Sequence, residues 1–531
     1  MPKERTLNVE FPLGGLNRRG GYAQKTRPFT CFSSRNMRSV GPLEERGRGG
    51  TRPGLAKLLD HDFGDNITGM QKVSYVDSAG DLQEDLIVIA DGSVNIVRGV
   101  SVTTTTAFLQ TEDGDFIITE DGDFIIFESA VPVVNPIGTS NAFQMVEHEG
   151  KLHIADATPR IYDPITGTVQ DNATAPTNQP LICFYQERLV LAGENHMFYM
   201  ARQGDYTDFN FGDDKDDSGM AHAGFVGDNG IIGAVIKCMI PWRDQALILG
   251  TDRDLWVIYG NPTNVGGGRK ENISYEFGII APKAAVVTNS GLLVFLSKDG
   301  LYTWGVGSNS RPEPFSPLVI PEELQNVDTS ANEIRMEYDQ NNRGINLYIT
   351  PDSGTGTHWW IDLEYRALWP EEYHEDHQAV ATTKLPQGGY SDVLIGCKDG
   401  YIRQYDPDAD NDDGEDLNSD LYLGPFHLGS AYGMDGMIHS MYSDLADNAS
   451  GVTWRTIVGD TAEDAADNAD AAYAASWAAG ISKSGIWGQG HNRRVIPRSR
   501  GAWGVLVMSS VSKWAYESVT MKIYQHGKLR V

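Results

Sequence analysis

Two histidines and two carboxylates stand together in HEDH, His374 to His377, and these are residue types that bind zinc. The spacing differs from the H-E-x-x-H of zinc proteases, in which the two histidines are four apart on a helix. The four residues follow WPEEY in a stretch that predicts a loop. We therefore interpret HEDH as a solvated loop, with a zinc site as the alternative.

An acidic run, DPDADNDDGEDLNSD, covers residues 406–420 and alternates aspartates as calcium loops do. The EF-hand register fails, because placing Gly414 at the sixth position puts Ala409 at the first. A disordered acidic loop and a calcium site remain the two interpretations. The same holds for GDDKDDSG, residues 212–219.

The stretch SKDGLYTW, residues 297–304, resembles the Asp-box of sialidase propellers, but Gly300 falls one place early. An Asp-box is a folding turn, and sialidase chemistry also needs an arginine triad, a tyrosine nucleophile and acidic partners. We find no candidates for those roles, and no Walker loop, dinucleotide fingerprint or G-x-S-x-G elbow. The sequence therefore predicts a protein that is not an enzyme, with no catalytic residue, metal or cofactor.

Five arginines near the N-terminus lie among glycines and prolines, which let the backbone extend while the guanidinium groups reach phosphates or carboxylates. They are Arg18, Arg19, Arg46, Arg48 and Arg52. Two partners fit them: passing DNA, contacted at its phosphates, or the acidic surface of a neighbouring subunit. We favour the subunit and predict these arginines as interface residues.

The charge of the chain is uneven. Its net charge is −29, yet residues 1–57 hold twelve Lys and Arg against four Glu, so this segment carries +8 and the remainder −37. Such a body repels nucleic acid as a whole. In any channel that this acidic body lines, we expect an acidic lumen in which DNA slides with little adhesion.

The four cysteines form no C-x-x-C pair, so we expect a reducing compartment. No apolar run is long enough to span a bilayer, and we expect no membrane span.

Short apolar runs bounded by Gly, Asp, Asn and Pro predict β-strands along most of the chain. Seven of them share the order apolar strand, polar turn, aromatic strand, and each contains a central leucine: Leu86, Leu152, Leu189, Leu247, Leu293, Leu347 and Leu394. After the first interval, their spacing brackets the roughly 40 to 50 residues of a four-stranded propeller blade. We predict an all-β fold with a six- or seven-bladed β-propeller; stacked β-sandwiches are the competing arrangement.

A near-perfect repeat, TEDGDFIITEDGDFIIFE, occupies residues 111–128. Asp-Gly favours two-residue hairpin turns, so residues 107–128 predict a three-stranded meander with a large apolar surface. We expect it to protrude and pack against an identical neighbour; a hairpin folded on its own blade is the alternative. The predicted interface residues of this meander are Phe116, Ile118, Phe124, Ile126 and Phe127.

The repeat of apolar strand, polar turn and aromatic strand stops after residue 420. An alanine-rich stretch, residues 461–480, predicts one helix with Thr461 as its N-cap and Gly480 as its stop, among segments that alternate like sandwich strands. We therefore divide the chain into a basic N-terminal arm with its first strands (1–60), a propeller (61–420) and a C-terminal β-sandwich carrying one inserted helix (421–531).

Several segments together resemble a family of virion proteins, the tail-nozzle or tail-tip propeller proteins of short-tailed bacteriophages. PLGGLNRRGGY and SRNMRSVGPLEERGRGGTRPGL, residues 12–22 and 34–55, are similar to that family's opening pattern. ERLVLAG with ARQGDYTDFNF resembles its blade signature, although Ala201 replaces the usual serine. WPEEYHEDHQ and the closing RSRGAWGVLVMSS also match.

The resemblance implies a structural role, without catalysis: a ring homo-oligomer, commonly a hexamer, in the tail of the virion. It extends the DNA channel, takes part in DNA ejection, and connects the tail tube or adaptor to the fibres after assembly in the host cytoplasm. Arg493, Arg494, Arg498 and Arg500 in the closing motif then contact other subunits or brace the sandwich. Two alternatives stay open: a propeller glycan hydrolase (a depolymerase), and a glycan-binding or capsid-decoration protein.

Overall fold

A computed structural model describes most of the chain. The described residues are 3–17, 21–22, 30–39, 49–90, 93–98, 130–133, 144–212, 216–227, 233–263, 265–308, 310–315, 322–387, 390–431 and 434–529. They form an all-β protein with one α-helix, as predicted.

Five strands come from the N-terminal segment: β1 (Lys3–Glu10), β2 (Ser34–Arg35), β3 (Met37–Arg38), β4 (Gly50–Thr51) and β5 (Gly54–Lys57). The next 27 strands build seven four-stranded antiparallel sheets, the last of which takes β5 as its fourth strand. In chain order they are β6 (Ile67–Val76), β7 (Leu82–Ala90), β8 (Ser93–Arg98), β9 (Ala130–Val133); β10 (Met145–His148), β11 (Lys151–Ile154), β12 (Arg160–Asp163), β13 (Thr168–Asp171); β14 (Leu181–Tyr185), β15 (Arg188–Ala192), β16 (Met197–Met200), β17 (His222–Phe225); β18 (Ile236–Trp242), β19 (Ala246–Thr251), β20 (Leu255–Tyr259), β21 (Arg269–Ser274); β22 (Ala285–Val287), β23 (Leu292–Ser297), β24 (Gly300–Gly305), β25 (Glu313–Pro314); β26 (Asn332–Asp339), β27 (Gly344–Pro351), β28 (Thr357–Asp362), β29 (Ala367–Glu371); and β30 (Ala379–Gln387), β31 (Tyr390–Cys397), β32 (Ile402–Asp406).

These seven sheets form a closed propeller. Their first strands, β6, β10, β14, β18, β22, β26 and β30, contact one another in a cycle, because β30 packs against β6. The ring is closed by the N-terminal segment, since β5 pairs with β32 through Leu55 and Tyr405. Radial closure leaves each sheet with covered faces and only short edges. The prediction of a six- or seven-bladed propeller is confirmed, with seven blades.

The seven leucines that suggested the repeat share one place in the blades. Each lies on the second strand of its sheet, and none is more than 1% exposed. A second strand is covered on both faces by neighbouring blades, so it takes a continuous apolar run; RLVLA in β15 is buried at all five positions. The repeat in the sequence therefore records the position where burial is complete.

The C-terminal strands form a sandwich of two sheets. They are β33 (Ser419–His427), β34 (Met434–Leu445), β35 (Val452–Gly459), β36 (Lys483–Trp487), β37 (His491–Val495), β38 (Ser499–Gly501), β39 (Trp503–Ser510) and β40 (Tyr516–Leu529). One sheet, here called the outer sheet, has the order β1-β40-β34-β37 with β38 also paired to β34. The other, the middle sheet, has the order β2-β33-β39-β35-β36.

The helix α1 (Ala462–Ala474) makes a third layer. Alternation along β39 shows the order of layers: Leu506 and Met508 pack in the core with the outer sheet, whereas Val505 and Val507 pack against the alanines of the helix. The middle sheet thus lies between the outer sheet and α1. Thr461 is the N-cap, as predicted, but the helix ends at Ala474, before Gly480.

Two short 3₁₀ turns, Glu322–Leu324 and Glu375–His377, complete the regular elements. The described strands divide differently from the predicted domain boundaries, because the N-terminal segment contributes β1 and β2 to the sandwich and β5 to the propeller. The sandwich begins with β33 at Ser419. The predicted meander, residues 107–128, lies outside the described residues, in the part of the chain between β8 and β9. Within the described residues, no helix is both long and apolar enough to cross a membrane.

Candidate functional site: the junction between propeller and sandwich

Two stretches considered as metal sites, HEDH and the run 406–420, contact side chains elsewhere in the chain. In HEDH, Glu375–His377 is a 3₁₀ turn, and His377 lies 3.9 Å from Asp399. In the run 406–420, the carboxylate of Asp412 accepts from Arg52, and that of Asp413 accepts from Arg403 at 2.8 Å. This run is therefore an ordered connection between the two domains. Across the described residues, no group of three His, Cys, Asp or Glu side chains is placed to hold a metal ion.

SKDGLYTW forms the turn and strand of a blade, with Ser297 paired to Gly300 across the hairpin. Gly300 has φ +122°, a conformation that other residues rarely adopt. The structure gives this stretch the folding role expected of it.

Arg38 is the centre of a buried cluster where the propeller meets the sandwich. Its Nε and Nη2 donate to the two carboxylate oxygens of Glu371 at 2.6 and 3.1 Å, and Nη2 also donates to Asn346 at 3.2 Å. The guanidinium carbon lies 4.1 Å from the ring centroid of Trp360. A paired, planar contact of this kind fixes both position and angle.

Arg52 lies in the same cluster and is fully buried within this chain. It donates to Asp412 Oδ1 at 2.8 Å, to the side chain of Asn36 at 3.0 Å and to the backbone carbonyl of Glu372 at 2.9 Å. Because its donors are satisfied internally and no part of it reaches the surface, Arg52 cannot contact another subunit. The predicted interface role of Arg52 is corrected to an internal one.

Asn36 connects the strands around Arg52. Its side-chain oxygen accepts from the backbone N–H of Glu372 at 2.8 Å as well as from Arg52, and its amide donates to the carbonyl of Asn418 at 2.6 Å. Its φ is +54°, which asparagine tolerates better than most residues. The N-M-R of the opening motif thus joins the sixth blade to the start of the sandwich.

Arg35 bridges the domains at the rim of this cluster. Its Nη1 donates to Glu372 of the propeller at 3.1 Å, and its Nε donates to Asp420 of the sandwich at 2.9 Å. A cleft of about 310 Å³ opens beside it, with Glu371, His358 and Tyr473 in its lining. Three of the four carboxylates in its lining, Glu371, Glu372 and Asp420, are held by an arginine, and the fourth is Asp470.

The titration behaviour of the cluster agrees with its geometry. Burial alone would raise the pKa of Glu371, but the charge and hydrogen bonds of Arg38 outweigh it and hold that pKa below the usual value. Burial raises the pKa of Tyr405 to about 12, and that of Tyr373, which also faces Glu371, well above its usual value. Glu371 is therefore a carboxylate, and the tyrosines are neutral donors.

The tyrosines complete the network. Tyr373 donates to Glu371 at 2.6 Å, and its oxygen lies 2.7 Å from that of Tyr405, which is 2.7 Å from Tyr348 in turn. Sequence reasoning missed Glu371, Tyr373 and Tyr405 as members of one site. The available signal was a carboxylate at the end of an otherwise apolar strand, ALWPE, which a buried strand tolerates only when the charge is paired.

We call Arg35, Arg38, Arg52, Glu371 and Asp412 the junction cluster. Its members come from β2, β3 and the segment after β4, from the sixth blade, and from the connection to the sandwich. It brings together residues from three separated motifs. The other predicted interface residues, Arg18, Arg19, Arg46 and Arg48 and the five of the meander (Phe116, Ile118, Phe124, Ile126 and Phe127), lie outside the described residues.

The closing-motif arginines 493, 494, 498 and 500 are all exposed on the sandwich. Arg494 donates to the imidazole of His439 at 2.7 Å, and Arg500 lies 3.4 Å from Asp435. Only Arg500 is thus braced by a carboxylate among the described residues.

The inner strands of the propeller carry no net charge. Their four cationic side chains, Lys72, Lys237, Arg335 and Lys384, match four carboxylates, Glu147, Glu333, Glu337 and Asp339. Several are paired directly, as Lys384 with Glu337 at 3.0 Å. The inner strands of the propeller therefore supply no net acidic charge to a lumen, and the acidic lumen stays a prediction.

The rim of the propeller has a second concavity, a groove of about 490 Å³ between the third and fourth blades. Aromatic rings and polar side chains line it: Phe225, Trp256, Tyr275, Lys270, Glu271 and Asn272. Phe225 and Tyr275 are 46% and 60% exposed, so both rings are open to solvent beside the groove.

No protein-family model matches the chain, and no curated protein matches it. Solved structures resemble it at low similarity. The computationally designed Ika8 protein is 14% identical, covering 66% of this chain and 99% of that one, with a TM-score of 0.36. U3-55K is 10% identical over 66% and 99%, with a TM-score of 0.39, and the Neurospora crassa Pan2 WD40 domain is 9% identical over 67% and 95%, with a TM-score of 0.35. The seven closed sheets themselves establish the propeller.

Proposed function

We propose that this chain is a structural protein of a bacteriophage tail, the nozzle or tail-tip ring of a short-tailed virion. The observation that carries the proposal is the junction cluster. The residues through which the sequence resembles that family, among them Asn36, Arg38, Arg52 and Glu371, converge on one buried site that joins the propeller to the sandwich. The shared motifs thus specify how two domains are held together.

Such a site suits an architectural role better than turnover. Arg38 and Arg52 are buried and paired with Glu371 and Asp412, so the charges at its centre are engaged in contacts that hold the domains together. Removing one partner of a buried ion pair is costly, and the pairing requires one relative orientation of the two domains. A ring component that transmits force along a tail needs that fixed orientation.

The proposed partners follow from the same role. Identical copies form the ring, and a hexamer is the expected order. Other tail proteins, the tube or adaptor and the fibres, bind its two ends, and packaged DNA passes through the channel without sequence-specific contacts. The protein assembles in the host cytoplasm and functions in the virion, without catalysis and without a cofactor.

Native mass spectrometry of the purified protein, followed by immunogold labelling of virions, tests this proposal. We expect a closed oligomer of identical subunits and gold particles at the tail tip. Label on the head, or no label on intact and disrupted virions, would exclude the tail role. A carbohydrate-cleavage assay on host polysaccharide separates the depolymerase alternative, because the tail protein is expected to release no sugar.

The groove between the third and fourth blades favours a second candidate, a glycan-binding protein. Exposed aromatic rings stack on sugar faces, while the carboxylate of Glu271 accepts hydrogen bonds from hydroxyl groups. Titration of host oligosaccharides against the protein and a Tyr275→Ala variant tests it. Binding that the variant loses supports this candidate; equal binding, or none, excludes the groove as a glycan site.

A further inference from the structure

We propose that subunits associate head to tail through the sandwich, with a cationic face of one copy bound to the acidic helix of the next copy. The cationic face comprises Arg493, Arg494, Arg498, Arg500 and Lys522 on the outer sheet. The acidic stripe comprises Glu463 and Asp467 on α1. This inference rests on the self-assembly part of the proposed function and names the contact that would build the ring.

The cationic face belongs to the side of the outer sheet that points away from the sandwich core. Met521 and Ile523 of β40 are buried in that core. Because side chains alternate along a strand, Lys522 and Tyr524 lie on the other side. Tyr524 stacks on His439 at 4.3 Å, and His439 receives the hydrogen bond of Arg494. Arg500 stands opposite Met437, which pairs with Tyr524, on the same side.

Three of these cations lack a carboxylate. Lys522 pairs with Glu4 at 3.1 Å and Arg500 lies near Asp435, but Arg493, Arg494 and Arg498 have no carboxylate partner among the described residues. The same side of the outer sheet also carries Glu4, Glu10 and Asp444. The local excess of positive charge therefore comes from Arg493, Arg494 and Arg498, in a chain whose net charge is −29. Such a face attracts an acidic surface and repels other cationic faces.

The acidic stripe lies on the far side of the sandwich. Positions 463 and 467 share one face of the helix, because residues four apart are neighbours on a helix surface. The opposite face packs on the middle sheet through Ala465, Ala466 and Ala469. The helix contains no basic residue, so this surface has no cation of its own helix to offset the carboxylates.

The two surfaces therefore lie on opposite sides of a three-layer domain, in the order cationic face, outer sheet, middle sheet, helix. The cationic face and the acidic stripe of one copy cannot contact each other. A two-fold dimer built through either surface would bring two cationic faces, or two acidic stripes, together. A head-to-tail contact pairs each cationic face with an acidic stripe, and repetition of such a contact gives a ring or a helical array. The occupant we assign to the cationic face is thus a second copy of this chain.

Complementary charge reversal tests the contact. Variant one carries Arg493→Glu, Arg494→Glu and Arg498→Glu; variant two carries Glu463→Lys and Asp467→Lys. Asp464 is left unchanged because it closes the capping box with Thr461, and Asp470 because it lines the cleft at the junction. The control reverses three exposed propeller arginines, Arg253→Glu, Arg311→Glu and Arg343→Glu.

Each of the two variants alone should need a concentration at least about tenfold higher than the wild type to assemble, as measured by mass photometry or analytical ultracentrifugation. Their equimolar mixture should assemble again, because the reversed faces complement each other. The control should assemble like the wild type. Raising NaCl from about 0.05 M to about 0.5 M should weaken wild-type assembly, since exposed charges are screened at high salt.

The outcomes separate the two proposals. A wild type that stays monomeric with its tail partners present overturns both the ring and this contact. If the wild type forms a ring and variant one does too at the same concentration, the contact is wrong and the ring stands. If both variants are folded monomers by circular dichroism and their mixture stays monomeric, the charge pairing is refuted.

Discussion

Replacing Arg38 by leucine should destabilise the protein by about 3 to 5 kcal/mol, because it leaves the carboxylate of Glu371 buried without its cation. The substitution removes two hydrogen bonds to Glu371 and one to Asn346, as well as the contact with the Trp360 ring. Glu371 keeps its hydrogen bond from Tyr373 at 2.6 Å, so we expect the lower end of that range.

The double variant Arg38→Leu with Glu371→Leu should cost less than Arg38→Leu alone. Removing both charges abolishes the desolvation penalty, and apolar replacements of buried ion pairs are often neutral or stabilising. The effect should also depend on pH. In the single variant, burial raises the folded-state pKa of Glu371 above its ordinary value of 4.5, so the deficit should shrink as the pH falls toward and below that value.

Urea denaturation followed by tryptophan fluorescence measures these free energies at neutral and acidic pH, with the unfolding of each domain fitted separately. Arg311→Leu is the matched control, because Arg311 is exposed on the propeller and lies outside both the junction cluster and the proposed subunit contact; a surface change of this kind is worth about 0.5 kcal/mol or less. A cost below about 1 kcal/mol for Arg38→Leu, or a double variant as unstable as the sum of its single changes, would refute the account of the junction cluster.

Four further predictions concern other parts of the chain. Thr461→Ala should destabilise the protein by about 1 kcal/mol in urea denaturation because it removes the N-cap bond to Asp464, whereas Thr461→Ser should not. Gly54→Ala should lower the melting temperature, because a Cβ there would lie 2.3 Å from the carbonyl oxygen of Asn411; an unchanged temperature would contradict that contact. Burial lowers the folded-state pKa of His358 to about 3, so the protein should lose stability as the pH falls below 6.5, and His358→Phe should flatten the pH dependence of the melting temperature between pH 6.5 and about pH 5. The four cysteines are buried thiols, so a thiol reagent should label none in the native protein and four after denaturation; rapid native labelling would mean that a cysteine is accessible.

The propeller was predictable from sequence because the buried second strand of each blade requires an apolar run, which recurs along the chain. Leu189 and its counterparts occupy the second strand of each blade, which is covered on both faces, so the apolar run recurs at every blade. The blade count stayed open because the seventh blade takes its last strand, β5, from the N-terminal segment. A short strand that pairs with residues about 350 positions away leaves no periodic signal in the sequence.

The candidate site was only partly predictable, because the same residue type serves opposite roles. Arg52 and Arg494 look alike in sequence, each in a glycine- or arginine-rich stretch, yet one is fully buried and the other exposed. What separates them is the presence of a carboxylate, Asp412, brought close only by the fold. The acidic run that suggested calcium ligands supplies that carboxylate. The arginine-rich segment and the acidic run, which we interpreted separately, therefore provide the two partners of one ion pair.

The course of the N-terminal segment explains why the junction is built from ion pairs. This segment places β1 in the outer sheet and β2 in the middle sheet, passes through the junction cluster with Arg38 and Arg52, and closes the propeller with β5. An apolar contact would tolerate small rotations between the domains, whereas a paired guanidinium and carboxylate lose their hydrogen bonds when they tilt. Because one segment belongs to both domains, the propeller cannot open at its seventh blade without disturbing the strands that anchor the sandwich. Rigidity between the two domains is therefore a property of the chain path itself, reinforced by charges that satisfy one another at a single angle.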